Sequence, residues 1–160
     1  MLLYIVRHGD ADTPAENDDD RELSQKGIRV TAAMAKLLKS AEFDVPEIIV
    51  TSPLPRAEQT ARIMAEEFAS KAKFEINPGL RPGSGLESAM SIIASKKDSC
   101  NVLMVAGHDP LFSKLASAIV SGTEQGIEMK KSAVALFELT RYDVPGMRGI
   151  LRAYLPPKIV

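Results

Sequence analysis

The chain has 160 residues, of which 45% are hydrophobic and 26% charged, with a formal net charge of −1. That size and composition suit one soluble globular domain over 1–160 with a true core, and the lack of a basic excess excludes a general electrostatic affinity for nucleic acid or an anionic membrane. Cys100 is the only cysteine, so no internal disulfide can form; a lone thiol beside the apolar run Val102–Ala106 reads as a small buried hydrophobe in a reducing, cytoplasmic setting.

Taken in chain order, short apolar runs alternate with longer amphipathic segments, the pattern of an α/β fold. Leu2–Val6 is a continuous apolar run, as expected of a strand buried on both faces, and with Met1 it is too short for a signal peptide or a membrane span. Thr13–Asp20 reads as an exposed polar loop, with Asp18-Asp19-Asp20 solvated. Leu23–Ala41 reads as a helix with Ser24 as N-cap and an inner stripe including Ile28, Ala32, Ala35 and Leu38. Glu47–Thr51 is the next strand, and Leu54–Ser70 a second helix with Ala57, Thr60, Ala61, Met64 and Phe68 on one face.

Phe74–Ile76 is a short strand, and the Pro- and Gly-rich Asn77–Gly85 a loop. Leu86–Ser95 is a helix and Asn101–Ala106 the clearest central strand. Pro110–Ser121 is a helix that opens with Pro at its first position. Ser132–Thr140 and Gly149–Leu155 are two strands joined by a turn at Asp143–Gly146. The sum is a three-layer α/β/α sandwich: a mostly parallel central sheet flanked by helices, with a C-terminal β-hairpin.

Three junctions at the ends of strands carry chemistry. Arg7-His8-Gly9 closes the first strand, where ligands of open α/β sheets bind. Gly9 would let backbone approach a ligand closely; a surface His beside a surface Arg is the alternative. In Thr51–Ala61, Arg56 falls in the first turn of a helix, where the dipole disfavours a cation unless an anion lies nearby. Phosphate is one such anion, and pairing with Glu58 or simple solvation are the alternatives. Gly107-His108-Asp109-Pro110 places the second of only two histidines at the same kind of position. Asp109 before Pro110 is a natural N-cap.

Arg7-His8-Gly9, the Ser52–Ala61 segment (SPLPRAEQTA) and Gly107-His108, in this order and spacing, resemble the signature of the histidine phosphatase superfamily, which is phosphoglycerate-mutase-like. Arg7–Ala11 (RHGDA) and Arg21–Gly27 (RELSQKG) resemble its SixA branch, the phosphohistidine phosphatases. The resemblance runs from Met1 to about Gly122 and continues through the final hairpin. It implies that His8 attacks phosphorus and carries the phosphoryl group. It implies further that Arg7 and Arg56 grip the non-bridging oxygens, with Gly9 giving the ligand close backbone approach, and that His108 adds a hydrogen bond to the transition state. It implies no metal and no cofactor, and no second His, Cys or carboxylate cluster has metal-ligand spacing.

Two departures bear on the substrate. Many members carry an acidic Glu in a Leu-x-Glu segment after the second helix; here the match is Leu80-Arg81-Pro82, with Glu87 nearby inside a helix and solvated. Many carry Asn six residues past the nucleophile; here Pro14 stands there. Without an acid, an alkoxide leaving group is disfavoured, whereas the labile P–N bond of phosphohistidine is not. The expected function is therefore dephosphorylation of phosphohistidine on a protein, with a phosphohistidine carrier or phosphorelay protein as partner and neither nucleic acid nor membrane. The short loops around the mouth agree with a protein substrate. Two alternatives stay open: a small-molecule phosphomonoesterase with Asp109 as general acid, and a non-catalytic phosphate-binding module. Arg21 could reach the pocket from its loop.

Overall fold

The computed structural model describes residues 1–12 and 17–160. Its elements in chain order are β1 (Leu2–Arg7), α1 (Gln25–Ser40), β2 (Ile48–Thr51), α2 (Pro55–Glu67), β3 (Lys73–Ile76), α3 (Leu86–Ala94), β4 (Val102–Gly107), α4 (Leu111–Ser121), β5 (Val134–Arg141) and β6 (Arg148–Leu155). Short 3₁₀ turns lie at Asp18–Asp20, Pro78–Leu80 and Pro157–Ile159. The strands form one sheet in the order β3-β2-β4-β1-β5-β6. β1, β2, β3 and β4 are mutually parallel, and the β5–β6 hairpin joins antiparallel to β1. This is the α/β/α sandwich expected from the sequence.

The period-two alternation of a strand divides the core into two halves. Leu3 and Ile5 of β1 face one way, with Leu103 and Val105 of β4, and pack on α3 and α4 through Met90, Ile93, Phe112 and Leu115. Tyr4 and Val6 face the other way, with Met104 and Ala106, and pack on α1 and α2 through Met34, Leu38, Ala61 and Met64. Each of these side chains is wholly buried, and each large one contributes about 1.5–3 kcal/mol of transfer free energy. With both faces covered, β1 and β4 must be apolar throughout, which is why their runs are uninterrupted.

Helix α1 begins as its sequence suggests: Ser24 is the N-cap, and its hydroxyl accepts the Gly27 N–H at 3.0 Å. The inner stripe, however, is Gly27, Thr31, Met34, Ala35 and Leu38, not one containing Ile28, which is exposed. The helix is rotated so that Gly27 lies against the backbone of Asp10, where a Cβ would come within 2.1 Å of the Asp10 carbonyl oxygen. Thr31 beside it meets Ser132 Oγ at 3.3 Å. Close backbone approach and a buried hydroxyl pair thus set the rotation over hydrophobicity.

Helix α4 begins one residue later than expected, at Leu111, with Pro110 as its cap residue. Asp109 still caps this end, but from one residue further out. Its carboxylate accepts the Ser113 N–H at 3.1 Å and the Ser113 hydroxyl at 2.8 and 2.9 Å. The Phe112 N–H is already taken by the His108 carbonyl at 3.0 Å, so the carboxylate meets the Ser113 N–H beside it.

Candidate active site

Three strands deliver the site by their register. Arg7 pairs with Gly107 across β1 and β4, and Thr51 pairs with Ala106 across β2 and β4. The next residues, His8, His108 and Ser52, therefore emerge side by side at the carboxyl edge of the sheet. The helix after β1 packs on one face and the helix after β4 on the other, so the crevice between these neighbouring strands is the topological switch point. The His8 and His108 rings lie there with centroids 5.1 Å apart and planes tilted by 54°. The positions the sequence singled out separately, Arg7, His8, Arg56 and His108, are gathered at this edge.

His8 is 8% exposed, and its Nδ1 lies 2.7 Å from the Gly9 carbonyl oxygen. A carbonyl can only accept, so Nδ1 carries the hydrogen and Nε2 keeps its lone pair. Burial lowers the His8 pKa to about 4; the bond to Gly9 opposes this, and the charges of Arg56, Arg7 and Lys131 add to it. The imidazole is neutral at physiological pH.

His108 is 2% exposed, and burial, then His8 and Arg56, lower its pKa to about 3. Its Nε2 meets Ser52 Oγ at 2.8 Å, and Ser52 Oγ also accepts the Leu54 N–H at 3.4 Å.

Arg56 sits in the first turn of α2 and is 4% exposed. The anion beside it is not Glu58, which pairs with Arg62, but Asp18. The Asp18 carbonyl accepts from Arg56 Nη1 at 2.6 Å and its carboxylate lies 3.1 Å from Nη2. The acidic run is exposed at Asp18 and Asp20, as expected, yet two of its carboxylates are engaged: Asp18 with Arg56, and Asp19 with Arg81 at 2.7 Å. Arg21 also holds Asp18, at 2.9 Å, and the Ala11 and Asp12 carbonyls. It braces that loop through these bonds.

Arg7 donates to the Met129 carbonyl at 2.6 Å and lies 3.4 Å from the Asp109 carboxylate. Two buried nitrogens at this edge, Arg7 Nε and His108 Nδ1, have no hydrogen-bond partner among the described residues. Unpartnered buried polar atoms are costly, and these two belong to residues expected to grip phosphate.

Gly9 also has a packing role. A Cβ there would meet Thr31 Oγ1 at 2.9 Å and Leu23 Cδ2 at 3.0 Å, and its N–H donates to Thr60 Oγ1 at 3.0 Å. Its lack of a side chain makes room for helix packing, and its N–H is already taken. Thr60 in turn donates to the Arg56 carbonyl at 2.7 Å, so one hydroxyl ties the loop carrying His8 to the arginine's helical turn. Sequence reasoning assigned no role to Thr60, Ser52, Asp18 or Lys131. The first two lie inside the Ser52–Ala61 segment, and Thr60 stands four residues after Arg56, the spacing at which a threonine bonds back to a helical carbonyl. Nothing local marks Asp18 or Lys131.

Glu87 is exposed in the first turn of α3, as expected, and the Pro14 position lies outside the described residues. Cys100 is buried and desolvation raises its thiol pKa, which keeps it an inert packing residue.

Comparison with known proteins fixes the family. The model of the Histidine phosphatase superfamily (branch 1) matches residues 3–83. The chain belongs to the histidine phosphatase superfamily. It is 32% identical over 124 residues to phosphohistidine phosphatase SixA of Escherichia coli (strain K12), covering 76% of each chain. It is 25% identical over 126 residues to the SixA homolog of Haemophilus influenzae, covering 74% of this chain and 77% of that one. A solved structure of the protein histidine phosphatase SixA complexed with tungstate superposes with a TM-score of 0.85 at 27% identity, covering 99% of both chains. The chain is thus a hydrolase of this superfamily, whose members work through a phosphohistidine intermediate.

Proposed function

We propose that the protein removes the phosphoryl group from phosphohistidine on a carrier or phosphorelay protein in the cytoplasm, with His8 as the nucleophile. The observation that carries this reading is the bond from His8 Nδ1 to the Gly9 carbonyl. It fixes the tautomer with the Nε2 lone pair free, on a ring whose lowered pKa keeps it neutral.

In the first step His8 Nε2 attacks phosphorus and the P–N bond of the substrate breaks. The departing imidazole leaves as a neutral ring when its other nitrogen is protonated, so no acid is needed at the bond that breaks. His8 is left as a phosphoimidazolium, its Nδ1–H still donating to Gly9. In the second step water attacks phosphorus, the P–Nε2 bond breaks, and phosphate leaves with the water's protons while His8 regains its lone pair.

The supporting donors stand near the same strand edge, with Asp18 on the Arg56 fork until a phosphoryl group displaces it. Arg7 and Arg56 supply planar forks for the equatorial oxygens. If Ser52 donates to His108 Nε2, the hydroxyl accepts the Leu54 N–H and the orphaned Nδ1 becomes an N–H donor for the phosphoryl group. Tungstate, the ligand of the SixA structure, is a tetrahedral oxyanion like phosphate. Among the described residues no group of three or more His, Cys, Asp or Glu is placed to hold a metal ion, and no helix is long and apolar enough to cross a membrane.

The test is phosphate release from a histidine-phosphorylated carrier protein beside p-nitrophenyl phosphate, with His8→Ala as control. Preference for the carrier, lost in His8→Ala, is expected. Preference for the ester would instead favour the small-molecule phosphomonoesterase, and turnover that survives His8→Ala would remove His8 as the nucleophile.

A further inference from the structure

A cleft of about 860 Å³ opens beside the phosphate site. It lies between the start of α1, the Glu128–Ser132 segment that precedes β5, and the C-terminal turn at Pro157–Ile159. Arg7 forms part of its wall, and the Ser132 N–H donates to the carbonyls of both Arg7 and His8, at 3.2 and 3.1 Å. The cleft and the catalytic edge therefore share one piece of backbone.

Its charge contrasts with that of the whole chain. Arg7, Lys26, Lys130, Lys131 and Lys158 line it against only Asp10 and Glu128, in a protein whose net charge is −1. Lys131 is paired with Asp10 at 2.7 Å and Lys130 with Glu128. Lys26 and Lys158 have no carboxylate within 4.0 Å among the described residues, and both are exposed. Lys26 stands in the first turn of α1, which holds no acidic residue; a cation there works against the helix dipole unless an anion approaches from outside. Between the lysines lies an apolar floor of Val30, Tyr154, Pro156 and Pro157.

We propose that this cleft is where the phosphohistidine-bearing protein docks, through an acidic amphipathic helix laid over the apolar floor with its carboxylates on the lysine rim. The inference rests on the phosphohistidine reading above. A phosphorylated imidazole that reaches His8 brings its own polypeptide over the neighbouring surface, and the surface beyond Arg7 is this cleft. An apolar floor with a cationic rim is complementary to a helix that is apolar on one face and acidic on its flanks. A concentrated patch on a protein with no net positive charge would also steer an acidic partner towards the site without attracting anions at large.

The test uses the full chain carrying Lys26→Glu and Lys158→Glu together, with circular dichroism and a thermal melt to confirm folding. Two substrates are compared: a histidine-phosphotransfer domain of net negative charge phosphorylated on histidine, and free phosphohistidine. For the carrier, kcat/KM should fall about tenfold or more, chiefly through KM, and its salt dependence should flatten. For free phosphohistidine kcat/KM should stay within about twofold, because neither lysine touches the reacting atoms. An unchanged carrier kcat/KM, or an equal fall on both substrates, overturns the docking surface. Wild-type protein that cleaves free phosphohistidine but not the carrier overturns it while sparing the phosphohistidine chemistry. Wild-type protein that cleaves neither overturns both.

Discussion

Asp18 holds Arg56 by both of its terminal nitrogens, one through the Asp18 carbonyl at 2.6 Å and the other through its carboxylate at 3.1 Å. Arg56 is almost wholly buried, whereas the Asp18 side chain is 66% exposed. The hydrogen bond from Arg21, then the charge of Arg56, keeps the Asp18 carboxyl below its ordinary pKa, so it meets the guanidinium as an anion. A phosphoryl group that takes the same fork must displace it. Asp18→Ala should therefore tighten inhibition by inorganic phosphate by about two- to fivefold, the range expected for loss of an exposed ion pair. Weaker inhibition in the variant would mean that Asp18 orients Arg56 for phosphate and does not compete with it.

Thr60 bonds Gly9 N–H and the Arg56 carbonyl with one hydroxyl. Thr60→Val keeps the shape and leaves the Gly9 N–H buried without a partner. Urea denaturation should register a loss of about 1–3 kcal/mol. Turnover should fall as well, since the loop presenting His8 loses its tie to α2. Full stability with full activity would show that Thr60 only fills space.

Asp109 has both carboxylate oxygens engaged by Ser113, and its Oδ2 faces Arg7 at 3.4 Å. That arrangement positions Arg7 and the start of α4. Asp109→Asn should keep phosphohistidine kcat within about threefold, because no proton donor is required at a P–N bond that releases a neutral imidazole. A loss of about a hundredfold or more confined to p-nitrophenyl phosphate and alkyl phosphates would assign Asp109 as the acid of an esterase.

Both histidines have folded-state pKa values below the ordinary 6.5, about 4 for His8 and about 3 for His108. As pH falls below 6.5 the unfolded chain takes up these two protons first, so stability declines towards the folded values; above 6.5 neither ring adds a pH dependence. The urea midpoint should therefore drop between about pH 6.5 and 5, a window above the carboxylate range, and His108→Asn should shrink that drop. The ester kcat/KM, corrected for ionisation of the substrate, should stay level through the same window and fall only as His8 protonates near about pH 4. An activity limb centred at 6.5 would mean that His8 is not desolvated in the working enzyme.

The sequence by itself determined the layers and singled out the candidate site residues. Runs covered on both faces, such as Leu2–Val6 and Val102–Ala106, must be apolar from end to end, so Arg7, His8 and His108 stood out just beyond them. Arg56 stood out because a cation at a helix N-terminus calls for an anion. The tertiary structure decided what these groups face. Strand register brought the two imidazoles 5.1 Å apart, and the Gly9 carbonyl chose the His8 tautomer. Close packing of α1 at Gly27 against Asp10 left Ile28 exposed while Ala35 and Leu38 stayed inward. Asp18 met Arg56 across 38 residues of sequence, and Lys131 met Asp10 across 121. Such pairings carry no local signature, because charge neutralisation between distant segments depends on where the backbone delivers them and not on the residues beside them.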